Sequence, residues 1–372
     1  MSDIVLFEER LCANDKKIGV ITLNTPKSLN ALSHAMVNLI TPVLNEWQDN
    51  DEVVAVFLQG SGDKALCAGG DIVYLYNNLP NKNGDKAPAI EQFFKDEYEL
   101  DYLIHSYQKP FIVWGHGIVM GGGLGLMAGA SHRVVTEQTR IAMPEITIGL
   151  YPDVGGSYFL NKMPGNCGLF LGLTGASING CDAKYLALAD HFIAHQFKDE
   201  LLARLVEVHW GETKALNEEK LNDALLEFEQ RSKTYVPHAN VKAHQTLIDE
   251  LTAGDNLITI VDNIVNLEID DKWFNKAQKS LKNGSALSAH IAYRQLQQGK
   301  SQSLAECFQM EQTISRKCGE FGEFKEGVRA LLIDKDNQPN WRFKDVASVD
   351  AKVIDWFFSN DDIPSTELFA DS

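Results

Sequence analysis

The spacing of apolar positions changes near the middle of the chain. Up to about residue 200, short apolar runs alternate with longer amphipathic ones. Residues 4–9 and 17–23 read as strands separated by the turn-like Asn14-Asp15. The continuous apolar run 53–59 is rich in β-branched residues and reads as a buried strand. Runs 111–114 and 133–136 read the same way, and 190–194 is a shorter one. Between them, Met36, Val37, Ile40, Val43, Leu44 and Trp47 recur at helical spacing behind Ser33, a candidate N-cap. Residues 91–107 set Phe93, Phe94, Tyr98, Leu100 and Leu103 among acids, predicting an amphipathic helix. Short helices are predicted over 122–130, 165–173 and 182–189. Strand and helix thus alternate, which is the pattern of an α/β protein.

After about residue 197 the strand signal stops. Helical periodicity predicts helices over 199–231, 241–251, 256–267, 271–281, 285–298 and 303–315, with Ser285 and Ser303 as N-caps. The expected organisation is an α/β core over 1–200 and a helical region over 201–372 that covers the site. The end of that region, beyond about 345, is acidic. Three stretches read as loops: 25–30, the glycine-rich 60–71, and the polar 77–88, which is expected to be exposed and mobile.

Composition narrows the function classes. The 372 residues are 44% hydrophobic, enough for a sizeable core. Formal net charge is −17, which argues against a nucleic-acid partner or an anionic membrane surface. No apolar run approaches the ~18–20 residues of a membrane-spanning helix. The N-terminal MSDIVLFEER lacks the basic and apolar regions of a secretory signal. A cytoplasmic location is expected, or the mitochondrial matrix had a transit peptide been removed. Six scattered cysteines without a C-x-x-C pair read as reduced thiols rather than a zinc site or disulfide framework.

The candidate chemistry concentrates between Lys109 and Leu160. A strand leads into Gly121-Gly122-Gly123 and a small-residue helix, then a second strand leads to Glu145 and Asp153, eight residues apart, each preceded by proline. Glycines at a helix start let backbone NH groups approach a ligand, an arrangement suited to phosphate or to a developing oxyanion. Close helix–strand packing explains the same glycines. Cys67-Ala-Gly-Gly-Asp71 is a second glycine turn after a strand, able to supply another NH donor or to be an ordinary turn. Carboxylates among apolar residues are raised in pKa and suited to acid–base work. Structural capping is the plain alternative for both acids. Gly123-Leu-Gly125-Leu-Met-Ala128 matches a loose dinucleotide fingerprint. However, 115–120 separates it from the strand, and Glu145 does not end a clean apolar strand, so a nicotinamide enzyme is disfavoured. His191 and His195 are four apart but read as strand and turn, so no metal site is expected, and His116 receives no role.

Lys109-Pro110, 117–125, Met143-Pro144-Glu145, 149–156 and Ala68-Gly69-Gly70-Asp71 together resemble the crotonase superfamily, whose members act on coenzyme A thioesters. The resemblance implies a spiral of β-β-α turns with C-terminal helices. It also implies an oxyanion hole from the NH groups of Gly70 and Gly122. Hydratases of the superfamily carry a glutamate where this chain has Gly125, and their second glutamate matches Glu145. With Asp153 present and that first acid missing, the chain is most similar to the superfamily's 3-hydroxyisobutyryl-CoA hydrolase branch of valine breakdown. The likeness extends through Phe93–Tyr98 and 324–336, so that it covers roughly residues 5–345. It implies Glu145 and Asp153 as catalytic acids and Glu97 as a substrate contact, with Lys335 at the coenzyme A phosphates. An acyl-CoA is the expected partner and no separate cofactor is needed. Homo-oligomers are usual in the superfamily. The expected activity is hydrolysis of a short branched 3-hydroxyacyl-CoA. Enoyl-CoA hydration or isomerisation and non-catalytic acyl-CoA binding stay open as alternatives.

Overall fold

A computed structural model describes residues 3–359. The last residues of the helical region, 360–372, lie outside the described residues. The chain groups into two compact units, each assembled from separate stretches of sequence. The first comprises residues 1–70, 99–141 and 178–243; the second comprises 71–98, 142–177 and 244–372.

Among the described residues there are ten short strands, all in the first unit save the last residue of β8: β1 (Val5–Leu11), β2 (Lys17–Leu23), β3 (Val53–Gly60), β4 (Ala65–Cys67), β5 (Phe111–Gly115), β6 (Ile118–Met120), β7 (His132–Val135), β8 (Arg140–Ala142), β9 (Ile178–Asn179) and β10 (His191–Phe192). One sheet has the order β1-β2-β3-β5-β7-β10 and the other β4-β6-β8-β9. In the larger sheet only β1 and β2 pair antiparallel. From β2 onward every pairing is parallel. Parallel neighbours need crossover connections, which explains why β3, β5 and β7 are continuous apolar runs buried on both faces. The core on one side of this sheet contains Ile18, Val20, Phe57, Ile112, Trp114 and Val134, packed under Leu201, Leu205, Trp210 and Phe228. The fold class is α/β, as the strand–helix alternation predicts.

The predicted helix over 199–231 is two helices, Lys198–Val206 and Lys214–Arg231. Between them, Gly211 NH donates to Asn217 Oδ1 while Asn217 Nδ2 donates back to the Gly211 carbonyl. Thr213 caps the second helix at Leu216 NH. Local capping chemistry here overrides a periodicity that runs through the break. Of the five strands of two or three residues, β4, β6, β8 and β9 are not predicted, β4 falling in the stretch read as a glycine-rich loop; they lie below the length at which alternation can be read.

In the second unit all described residues after 244 that form regular structure are helical. Asn256, Asp271, Ser285 and Ser303 cap the helices Leu257–Asn266, Lys272–Asn283, Ala286–Gly299 and Leu304–Phe321. The glycine-rich stretch ends with Asp71 capping an unexpected helix, Ile72–Asn78. The loop after it is partly exposed but pinned. Lys325 Nζ donates to the Pro80 carbonyl and to Asn81 Oδ1, and Gly84 NH donates to the Glu320 carbonyl.

The expected break near residue 200 therefore marks where strands end, while the compact units run differently. The reason is packing. The helices after 244 are tied to 142–177: Ser285 NH donates to the Ile146 carbonyl, Gln295 Nε2 to the Pro152 carbonyl, and Trp273 Nε1 to the Ser177 carbonyl.

Candidate functional site

Within the first unit the two glycine turns abut. Gly69 has φ +107°, and a Cβ there would lie 3.3 Å from the Met120 carbonyl and 4.0 Å from Gly121 Cα. Leu32 pairs with Gly70 as a parallel bridge, with Leu32 NH donating to the Gly69 carbonyl. Gly121, at φ +46°, turns the chain into the helix Gly122–Ala128, which is buried throughout. A Cβ on Gly123 would lie 2.4 Å from the Cys67 carbonyl, so only glycine allows this approach. Gly122 NH belongs to the first turn, where helix geometry supplies no intrahelical acceptor. Gly125 lies inside this helix, its NH donating to the Gly121 carbonyl. It places no side chain at the position where the family resemblance puts a hydratase's acid.

Within the second unit three carboxyl groups are buried together. Glu97 is 2% exposed, Asp153 3% and Glu145 5%. Glu97 belongs to the helix Pro88–His105, Glu145 opens the 3-10 turn Glu145–Ile148, and Asp153 follows eight residues later. Gly149 closes the 3-10 turn at φ +70°, where a Cβ would lie 2.5 Å from the Glu323 carbonyl. Asp153 begins a tight turn in which Gly156 NH donates to the Asp153 carbonyl at 2.8 Å. Its two central residues, Val154 (φ +52°) and Gly155 (φ +87°), both take positive φ, as in a type I′ turn. A β-branched residue is rare there, so the turn is strained at the residue following the acid.

Burial raises all three acids, and neighbouring charge raises Glu97 and Glu145 further. Glu145 is pushed well above the ordinary glutamate range by desolvation, then by the charges of Asp153 and Glu97. Glu97 is raised by desolvation and then by Asp153. Asp153 is raised to about 6 by desolvation, against the pull of a hydrogen bond from Tyr98. Glu145 Oε2 and Glu97 Oε1 are buried without a hydrogen-bond partner among the described residues. Buried polar atoms are nearly always paired, so two unpaired acid oxygens in one cluster point to a ligand or water that completes them.

The cluster rests on residues that sequence reading did not assign. Tyr98 OH donates to Asp153 Oδ2 at 2.6 Å and lies 2.6 Å from Ser315 Oγ. Tyr151 OH lies 2.7 Å from Ser315 Oγ and donates to the Glu311 carbonyl at 2.7 Å. Both oxygens of the Glu311 carboxyl accept NH groups of the turn, from Gly155 at 2.7 Å and Ser157 at 2.8 Å. Burial nonetheless pushes Glu311 to about 8. A signal for this support was present. Glu311 and Ser315 fall on the buried stripe Cys307, Phe308, Glu311, Ile314, Ser315 and Cys318, where apolar residues are expected.

The remaining candidates fall elsewhere. Lys335 is exposed, at φ +58°, beyond the π turn Arg329–Ile333. Its neighbours Asp334 and Asp336 both pair with Arg329. A cleft of about 450 Å³ in the same unit is lined by Thr147, Lys276, Lys279, Ser280, Leu331 and Asn337 among others, so that it joins two lysines to the 3-10 turn that begins at Glu145. His191 lies on β10 with Nδ1 3.2 Å from Glu229, and His116 is a buried ring 2.9 Å from the Gly62 carbonyl. Both sit as strand and core residues of the first unit.

Comparison with known proteins identifies the family and the fold. A family model for enoyl-CoA hydratase/isomerase matches residues 18–358. The chain is 39% identical to a 3-hydroxyisobutyryl-CoA hydrolase, mitochondrial, of Danio rerio, over 92% of this chain and 87% of that one. It is 37% identical to the Homo sapiens protein of the same name, over 96% and 88%. Among solved structures, an enoyl-CoA hydratase from Rhodobacter sphaeroides matches with TM-score 0.81 and 31% identity, over 96% of this chain and 97% of that one. A carnitinyl-CoA dehydratase from Mycobacterium thermoresistibile matches with TM-score 0.84 and 31% identity, over 97% and 98%. The chain belongs to the enoyl-CoA hydratase/isomerase family, the crotonase superfamily.

Proposed function

We propose that this protein hydrolyses a short branched 3-hydroxyacyl-CoA, with 3-hydroxyisobutyryl-CoA as substrate and 3-hydroxyisobutyrate and coenzyme A as products. The observation that carries the reading is the buried cluster of Glu97, Glu145 and Asp153, with oxygens left open on Glu97 and Glu145, in a chain that has Gly125 where a hydratase holds an acid. The names of the relatives above support it.

The NH groups of Gly70 and Gly122 are assigned to the thioester oxygen, where each such donor contributes ~3–4 kcal/mol to the transition state. Glu145, once ionised, takes a proton from water as it attacks the carbonyl, or itself attacks to give an anhydride that water then opens. Asp153 binds the 3-hydroxyl or passes a proton to the departing thiolate, and Glu97 orients the acyl group. This chemistry draws on NH donors, carboxyl groups and water, and the only cofactor involved is the coenzyme A carried by the substrate. The lysine-lined cleft and the exposed Lys335 are assigned to its phosphates, so a Lys276→Ala, Lys279→Ala double variant should raise KM with kcat nearly unchanged. The reading includes a homo-oligomer, checked by light scattering. It places the enzyme in the cytoplasm or in the mitochondrial matrix, and the word mitochondrial in the relatives' names favours the second compartment.

The test is release of free thiol from 3-hydroxyisobutyryl-CoA. Glu145→Gln should lower kcat by ~10²–10⁴-fold, the usual contribution of a positioned general base. Near-normal turnover in that variant would remove Glu145 from the mechanism. A second reading, enoyl-CoA hydration, is favoured by the titles of the solved structures. It predicts loss of enoyl absorbance without thiol release, and the absence of a side chain at Gly125 argues against it.

A further inference from the structure

The hydroxyl groups beneath Asp153 form a chain whose protons can be counted. Asp153 Oδ2 lies 2.6 Å from Tyr98 Oη, Tyr98 Oη lies 2.6 Å from Ser315 Oγ, Ser315 Oγ lies 2.7 Å from Tyr151 Oη, and Tyr151 Oη lies 2.7 Å from the Glu311 carbonyl oxygen. These are four short oxygen–oxygen contacts in a row, all in the second unit. Each hydroxyl owns one proton, and a carbonyl owns none. With Asp153 ionised, three protons serve four contacts. Tyr98 donates to the carboxylate and Tyr151 to the carbonyl, so Ser315 has one proton for two neighbours and one of its contacts has none. With Asp153 protonated the count closes. Asp153 donates to Tyr98, Tyr98 to Ser315, Ser315 to Tyr151, and Tyr151 to the carbonyl.

We propose that Tyr98, Ser315 and Tyr151 are positioning residues that turn together whenever Asp153 gains or loses its proton, coupling the charge of that acid to the direction of a buried hydroxyl chain. In this way Asp153 can release one proton and recover it without moving its carboxyl group. The proposal rests on the hydrolase reading only for what the proton is used for. There, the O–H of Asp153 turns from Tyr98 toward the substrate, Tyr98 turns back to donate to the carboxyl, and the O–H bond breaks as an S–H bond forms on the departing thiolate. Water's proton goes to Glu145, and transfer from Glu145 back to Asp153 resets the pair.

The surroundings agree with a carboxyl that spends part of its cycle neutral. The groups facing Asp153 are Glu97 and Tyr98 on one helix, Glu145 and Tyr151 on the preceding segment, and Glu311 and Cys318 on another helix. None of these is a cation. Burial raises Asp153 to about 6, within reach of a working pH.

The experiment is direct titration of Asp153 by NMR on the full-length protein with isotope-labelled aspartate, the resonance assigned by its loss in Asp153→Asn. The kcat/KM profile is recorded against pH in parallel. Ser315→Ala removes the contact that lacks a proton, so the Asp153 midpoint should fall by about one pH unit. Tyr98→Phe removes the donor to the carboxylate, so the midpoint should rise by about one pH unit. A purely structural role would not move the two in opposite directions. A midpoint unchanged in Ser315→Ala, or moved the same way in both variants, would overturn the relay. Should Tyr98→Phe fail to fold, Ser315→Ala, which removes a single oxygen, decides alone. Opposite shifts in a protein that releases no thiol would uphold the relay and sink the hydrolase reading.

Discussion

At the scale of single residues, the site is a balance between burial and charge. Asp153 is raised from 3.8 to about 6 chiefly by desolvation. A carboxyl whose folded pKa lies above its unfolded value favours the folded state fully below the unfolded pKa. It loses that contribution as pH rises through the folded pKa. For Asp153 the loss therefore runs between about pH 4 and pH 6, and about two pKa units correspond to ~3 kcal/mol. Asp153→Asn should accordingly lose activity yet gain stability at pH 8, by up to ~3 kcal/mol in denaturant unfolding, with the gain vanishing near pH 4. A gain independent of pH would show that ionisation of Asp153 is not the cause. Glu145 gives a kinetic counterpart. Its base form is the ionised one, and burial followed by the charges of Asp153 and Glu97 raises its pKa. Consequently kcat/KM should rise with pH as Glu145 ionises, with a midpoint above the ordinary glutamate range, and fall again once Asp153 no longer holds the proton it gives to the thiolate. That midpoint belongs to the coupled acids rather than to one of them. A profile already flat at pH 5 would contradict it.

At the scale of elements, the geometry is set where backbone meets backbone. Gly123 lets the helix Gly122–Ala128 lie on Cys67, because a Cβ would sit 2.4 Å from a carbonyl that has no freedom to move. Gly123→Ala should therefore cost ~1–3 kcal/mol of stability, as overpacking does. It should also lower kcat more than it raises KM, because the shifted helix carries Gly122 NH with it. Unchanged kcat with lowered stability would separate packing from catalysis. This much was legible beforehand, since a triple glycine after a strand has few other physical uses. The support of the acid turn was less so. Glu311 lies well over a hundred residues from Gly155 and Ser157, and nothing local marks it as their acceptor. Only its place on an apolar stripe hints that it is buried and partnered.

At the scale of the whole molecule, the linear division at residue 200 and the compact units disagree. The second unit needs 71–98 and 142–177 as well as the helices after 244. Fragments 1–200 and 201–372 expressed separately should each lack a cooperative melting transition, because each leaves buried apolar surface without its partner. A sharp melt of the 201–372 fragment in circular dichroism would show that its helices form a core by themselves.

What the sequence determined alone is what depends on local chemistry. Apolar period, β-branched runs and capping residues placed the α/β class and nearly every long helix. Glycine and proline marked the turns at Gly70, Gly122, Glu145 and Asp153, while only the family resemblance marked Gly125 as a missing acid. Tertiary structure decided what depends on distant segments meeting. It decided which strands are neighbours and how the units divide. It buried Glu97 beside Asp153, raising both acids, and set Tyr98, Ser315 and Tyr151 in a row beneath that turn. The physical reason is that conformational preference acts over a few residues, whereas desolvation and charge coupling act through space, on whatever the fold brings close.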